Sequence, residues 1–250
     1  MHEDATLKGS FMSNAKEIRD KVDAVAEWYK TREDFDSVLI HYGWLKMKSR
    51  AYPGTALELG SADGLMTERL LKHFKRVVVV EGAEKNVQWV KKNFPEVEVH
   101  HCLFEEFTTT EKFDNIIAAR VLEHLDDPVG VLSKIRKFLS PGGRLHVVVP
   151  NADSFNRKLG LAMGMIKSLD ELSERDLKCE HRRVYRKDLL MTHLREAGFD
   201  VQELTGTFLK PLSNALMMNW DPKIIEGLNA LSDELPLYCT ELYAVCTARE

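Results

Sequence analysis

Cysteine is scarce in this 250-residue sequence: Cys102, Cys179, Cys239 and Cys246 are the only four, and none stands in a C-x-x-C pair. That scatter excludes a disulfide framework and a zinc knuckle, and it suits reduced thiols in a cytosol. Long apolar runs are missing as well, since nothing approaches the roughly 20 residues a membrane-spanning helix needs. Basic excess is missing too. With 35 Lys and Arg against 39 Asp and Glu, the formal charge is -4, which offers none of the positive field that sequence-independent phosphate binding requires. Neither nucleic acid nor a membrane is expected as a partner. There is no internal repeat, no NPPY segment and no G-x-G-x-x-G fingerprint. The remainder, 44% hydrophobic and 30% charged, is that of a globular chain able to bury one sizeable core.

The opening Met1-His2-Glu3-Asp4 is acidic, unlike a signal peptide. Residues 1–14 show no clear periodicity and are expected to be a tag or disordered leader, with a single domain over 15–250. Within it, Ile18, Val22, Val25, Ala26 and Tyr29 recur at three- and four-residue spacing and predict an amphipathic helix over Ala15 to Tyr29. This begins an N-terminal helical segment, 15–50. The stretch from Phe35 to Met47 is ambiguous, and Pro53-Gly54 then breaks the chain. Short apolar runs follow in alternation with helical patterns: Ala56 to Leu59, Val77 to Val80, Val97 to Val99, Phe113 to Ala119 and Leu145 to Val149. Helices are expected to start near Leu65, Ala83, Asp127 and Lys187. Runs such as Val77-Val78-Val79-Val80 lack polar alternation, as strands covered on both faces do. With two later strands, Phe199 to Leu204 and Leu242 to Cys246, the pattern predicts an α/β fold, a doubly wound, mostly parallel seven-stranded sheet. Two long connections, 151–186 and 207–238, are expected to form a helical cap over a substrate, because binding residues concentrate at the carboxyl edge of such sheets.

The most informative turn is Glu58-Leu59-Gly60-Ser61-Ala62-Asp63-Gly64, where an apolar strand enters a glycine-bracketed loop and then a helix. Glycine lets backbone approach a ligand closely. The spacing is G-x-x-x-G, and the carboxylate of Asp63 in the loop would repel a dinucleotide pyrophosphate but suits the ammonium end of a zwitterion. Glu81 ends the second strand seventeen positions after Gly64, where a carboxylate can accept hydrogen bonds from two ribose hydroxyls. Further on stand Phe113-Asp114-Asn115-Ile116, Val121-Leu122-Glu123-His124-Leu125-Asp126-Asp127-Pro128 and Leu139-Ser140-Pro141-Gly142-Gly143.

Over Thr55 to Val149, and more weakly through Leu189-Leu190 to Ala197-Gly198-Phe199, these segments resemble the class I S-adenosylmethionine-dependent methyltransferases. That family opens with an acidic residue, one apolar residue and G-x-G-x-G or a relaxed G-x-x-x-G. Ala62 stands here in place of the middle glycine. The resemblance implies S-adenosylmethionine as donor, S-adenosylhomocysteine as product, and a donor site of Glu58, Gly60, Ser61, Asp63, Gly64, Glu81, Gly82, Cys102, Leu103, Phe104 and Ala119. Cys102 departs from the family, which often has an aspartate for the adenine amine there, so the backbone of Leu103 and the ring of Phe104 are left as the expected clamp.

Methyl transfer from a sulfonium needs alignment more than activation, and a base only where the acceptor carries a proton. His124 and His181 are the candidate bases, since histidine titrates near neutrality; the plainer reading is that Glu123 and His124 brace the helix that follows. Arg182 and Arg183 could bind a carboxylate or phosphate through planar paired donors, with Tyr185 and Tyr29 completing an acceptor site for a small molecule. No metal is expected, and oligomerisation is left open. Two other readings remain at this point: an NAD-dependent oxidoreductase, for which Glu81 would serve equally well, and a catalytically silent module that binds the donor and scaffolds a partner.

Overall fold

Side-chain alternation along the strands decides which helices cover which face of the sheet. Leu57 and Leu59 of β1 (Thr55–Leu59) and Val78 and Val80 of β2 (Arg76–Glu81) point to one side. There they meet Val131, Leu132 and Ile135 of α5 (Pro128–Arg136) and Leu190 and Leu194 of α8 (Lys187–Glu196). Ala56, Val77 and Val79 point to the other side, onto Trp44 and Met47 of α2 (Asp36–Lys48), Leu70 of α3 (Leu65–Leu71) and Val90 of α4 (Glu84–Asn93). Both faces being covered, β2 is a run of valines buried throughout, and each such side chain contributes about 1.5–3 kcal/mol of burial free energy.

The computed structural model describes residues 2–249, with side chains for 15–249; the leader expected over 1–14 thus lies outside the described side chains. Helix α1 (His2–Trp28) leads into α2, which settles the ambiguous stretch after Phe35 as helix because Leu39, Trp44 and Met47 are all buried. The sheet is completed by β3 (Glu98–His101), β4 (Phe113–Ala119), β5 (Leu139–Pro150), β6 (Phe199–Thr207) and β7 (Glu241–Ala248). Its order is β3-β2-β1-β4-β5-β7-β6, parallel from β3 to β5, with β7 antiparallel to both neighbours. Strand β5 starts six residues before the expected Leu145, taking in Pro141-Gly142-Gly143 through a register shift against β4.

Strand β1 lies between β2 and β4, with Leu57 paired to both Val78 and Ile116. The winding reverses at that seam, which opens a crevice at the carboxyl ends of the strands. Around it stand α6 (Phe155–Ala162) and α7 (Glu174–Lys178) of the first long connection and α9 (Asn214–Met217) of the second, while Ile225 and Leu228 of α10 (Pro222–Leu231) pack with Phe35, Leu39 and Phe208. Among the described residues no helix is long and apolar enough to cross a membrane, and the four cysteines are free thiols.

Candidate functional site

One cavity of about 880 Å³ runs along the carboxyl edge of the sheet, from α1 and the loop after β1 to the two long connections. It lies in the size range of small-molecule sites, about 300–1,000 Å³. Three loop residues shape its first half. Gly60 has φ +74, and added Cβ atoms there would stay 3.7 Å from Phe104 and Val121, so the cradle is open. Ala62 is held at φ +45, in the left-handed region where the family motif prefers glycine, at a cost of about 1–2 kcal/mol for a residue with a Cβ. Gly64, φ +72, begins α3, and a side chain there would run into Trp89.

Glu81 organises the same half. Buried at the end of β2, its Oε2 accepts from the Ser61 amide (2.8 Å), the Ser61 hydroxyl (3.0 Å) and the Ala62 amide (3.2 Å), while Oε1 accepts from the Ala83 amide (2.8 Å). The carboxylate thereby ties the loop after β1 to the start of α4 and still faces the cavity. Phe104 and Ala119 line the cavity beside it, and Val22, Val25 and Ala26 of α1 close it from above.

The expected donor residues Glu58, Asp63, Gly64, Gly82, Cys102 and Leu103 lie outside this lining. Glu58 alternates to the α3 face of β1, where its Oε2 accepts from Thr67 Oγ1 (2.7 Å) and its Oε1 has no partner. Burial pushes its carboxyl up to about 8, with Glu81 adding to the rise against the Thr67 hydrogen bond. Asp63 turns away to accept from Thr31 Oγ1 and the Arg32 amide, so it fastens the short 3-10 turn Thr31–Glu33 and leaves the crevice open. Cys102 packs behind the sheet edge, its amide on the Glu81 carbonyl. The Leu103 amide is taken by Glu106 Oε2 (3.1 Å), itself held by Arg19 of α1, which removes the backbone clamp expected for an adenine. Gly82 gives its carbonyl to His101 Nε2 (3.0 Å).

The second half of the cavity joins Glu123 and His124, after β4, to His181 at the end of the first long connection. Their ligating atoms lie within 4.8 Å of one another. The Glu123 side chain is fully buried with neither oxygen hydrogen-bonded, and burial pushes it up to about 7 against the pull of His181. His124 is packed edge-on to His181, ring centroids 4.7 Å apart; burial and then the neighbouring His181 hold it down at about 3, a neutral imidazole. His181 Nδ1 lies 3.1 Å from Asp176 Oδ1, in ion-pair range but off the line of a hydrogen bond. Proton affinity near neutrality therefore belongs to Glu123, which the sequence presented as a helix brace, and not to His124. One carboxylate and two imidazoles at this separation are also a donor set that a divalent cation could use.

Of the expected acceptor residues, Tyr29 and Arg182 line the cavity. Tyr29 donates to Asp36 Oδ2 (3.0 Å), and Arg182 reaches Asp126 (3.0 Å). Arg183 and Tyr185 do not line it. Arg183 donates to the carbonyls of Leu122 (3.0 Å) and Leu125 (2.6 Å), and the fully buried Tyr185 donates to the Leu122 carbonyl (3.3 Å). Both clamp the 121–125 loop from behind, because those carbonyls lack other partners where the loop leaves β4. Sequence reasoning missed a further polar group on the cavity wall, built from Asp36, Arg120, Arg175, Lys210, Asn214 and Glu241; it is drawn from five separate segments with no shared spacing.

A doubly wound sheet with an open crevice at its switch point, a glycine-bracketed loop and a buried carboxylate at the end of β2 defines an enzyme class that holds a nucleoside in that crevice. Residues 17–204 match a family described as "Methyltransferase domain". The chain is 27% identical over 168 residues to the human mitochondrial ubiquinone biosynthesis O-methyltransferase, covering 63% of this chain and 44% of that protein. It is 25% identical over 176 residues to the ubiquinone biosynthesis O-methyltransferase of Marinobacter nauticus, covering 66% and 72%. Its fold is shared with the N-methyltransferase NodS of Bradyrhizobium japonicum, crystallised with S-adenosyl-L-homocysteine, at a TM-score of 0.54 and 20% identity over 84% of this chain and 86% of that one. The chain belongs to the methyltransferase domain family, as a class I enzyme that takes its methyl group from S-adenosylmethionine.

Proposed function

We propose that the chain transfers methyl to an oxygen or nitrogen atom of a small polar molecule. The observation that carries this reading is the continuity of one cavity. It joins the loop after β1, Glu81 and Phe104 at one end to the buried Glu123, His124 and His181 at the other. Glu81 would take the ribose hydroxyls, Phe104 with Val22 and Val25 would pack the base, and the loop from Gly60 to Ala62 with Ala119 would seat the amino-acid end.

S-adenosylmethionine held there would supply a methyl group activated on its sulfonium, an in-line acceptor lone pair forming the new bond to methyl as the sulfur leaves as a thioether. Glu123, with a proton affinity matched to neutral solution, takes the proton that an acceptor hydroxyl or ammonium must lose. The neutral His124, with His181 packed edge-on to it, orients the acceptor beside Glu123, and the surrounding apolar wall excludes water. Helix α1, fastened by Arg19 to Glu106 and by Lys85 to Glu27 (2.7 Å), covers the donor end. Four free cysteines support a reducing, cytosolic setting. The ubiquinone biosynthesis O-methyltransferases among its relatives support oxygen as the atom methylated. The test is transfer of label from methyl-labelled S-adenosylmethionine to a small-molecule extract. Labelled products that pass a small-pore membrane are expected; label retained only on macromolecules would refute the reading, and donor binding without transfer would leave a silent module.

A further inference from the structure

The polar corner of the cavity holds one cation without a carboxylate partner among the described residues. Arg120, directly after β4, gives Nε to Glu241 Oε1 (2.5 Å) and lies 3.6 Å from Asp36. Arg175 is paired with Asp36 (2.9 Å) and, at the rim, with Asp34 (2.8 Å). Lys210 has no such partner: among the described residues no carboxylate lies within 4 Å of its Nζ, and its one hydrogen bond is to the neutral Asn214 Oδ1 (2.7 Å). The Asn214 orientation is fixed, because its Nδ2 donates to Asp34 (2.8 Å) and Asp36 (3.0 Å). Arg120 and Arg175 thus have carboxylates in Glu241, Asp36 and Asp34, and of the three cations only Lys210 has none in ion-pair range among the described residues. An ammonium carries three donors, so two of those on Lys210 are left for a ligand.

The backbone is strained at the two places that deliver these cations. Arg120 itself has φ +60, and Phe208, two residues before Lys210, has φ +54 although it is a bulky ring buried against Phe35 and Tyr42. Such conformations are disfavoured for residues with a Cβ and concentrate where a ligand is held. Burial without an acidic partner also holds the Lys210 ammonium down to about 8, which a bound anion would reverse.

We infer that the methyl acceptor carries a single carboxylate, seated on Lys210 with Arg120 at its flank. Two free donors on Lys210 suffice for the two oxygens of a carboxylate, and Asp36 and Glu241 on the same wall repel a phosphate dianion more than a monoanion. This rests on the cavity being the acceptor site of a methyltransferase, and the test separates the two ideas. Wild-type protein saturated with S-adenosylhomocysteine is titrated with a panel of aromatic and aliphatic monocarboxylates, each beside its primary amide and the corresponding phosphomonoester, with thermal stabilisation and calorimetry as readouts. At least one carboxylate is expected to bind tenfold or more tightly than both its amide and its phosphomonoester. Lys210→Met should abolish that preference, Lys210→Arg should keep part of it, and both should bind S-adenosylhomocysteine as wild type does. Overturning results are no carboxylate preferred over its amide, a phosphomonoester preferred over every carboxylate, or a preference unchanged in Lys210→Met. Loss of S-adenosylhomocysteine binding in the wild type would instead sink the underlying reading.

Discussion

Replacing Glu58 by Gln tests whether this carboxyl braces the sheet as a neutral group. Its Oε2 accepts from Thr67, its Oε1 meets nothing, and it is 1% exposed; burial raises its ionisation from 4.5 to about 8. Below pH 4.5 the carboxyl is protonated in both folded and unfolded chains and costs nothing. Between 4.5 and about 8 the unfolded chain ionises it while the fold keeps it neutral, so wild-type stability falls as pH rises through that window. Linkage over these values removes about 3 kcal/mol between pH 5 and pH 8. Glutamine can keep the Thr67 hydrogen bond and cannot ionise, so E58Q should gain on wild type by that amount, roughly 6–12 °C in midpoint for a chain of this size. Paired thermal melts at pH 5, 6, 7 and 8 measure it. A difference between E58Q and wild type that stays constant from pH 5 to pH 8 would refute the reasoning, since only an ionising Glu58 makes it grow.

Three further outcomes follow from the site. The transfer rate should rise with pH through about 7 as Glu123 ionises, and Glu123→Gln should lower kcat by about a hundredfold or more without weakening S-adenosylhomocysteine binding; an unchanged pH profile in the variant would exclude Glu123 as base. Ala62→Gly releases a strained φ but adds unfolded-state freedom, for a net gain below about 1 kcal/mol, visible as a small rise in melting midpoint with donor affinity retained. Arg183→Met removes two charge-assisted hydrogen bonds to the 121–125 loop and should cost about 2 kcal/mol or more, read as a lower midpoint; a tenfold rise in acceptor KM at unchanged stability would return Arg183 to the acceptor site.

The sheet could be read from the sequence because parallel strands covered on both faces must be continuously apolar, and Val77 to Val80 or Ile116 to Ala119 have few other uses. Loop chemistry was legible at Gly60 and Gly64, where conformation demands glycine. Direction was not. Glu58 and Asp63 sit in the right turn, yet the alternation of β1 sends the first to α3, and Thr31 with Arg32, some thirty residues upstream, captures the second. Arg183 and Tyr185 were misread for the same reason: unpaired carbonyls at Leu122 and Leu125 outcompete a ligand, and no local pattern announces them. Lys210 was invisible because its place depends on a left-handed turn at Phe208 and on Asp36, Arg120 and Asn214 meeting from distant segments.

The central claim is that the crevice beside Glu81 receives the adenosine of the methyl donor. Calorimetry of S-adenosylhomocysteine on wild type and Glu81→Ala tests it most directly, with NADH as control. Binding in the micromolar range or tighter by the wild type, weakened at least tenfold in the variant and absent for NADH, is the predicted result. Equal affinity in the two proteins, or heat from NADH alone, would contradict the account.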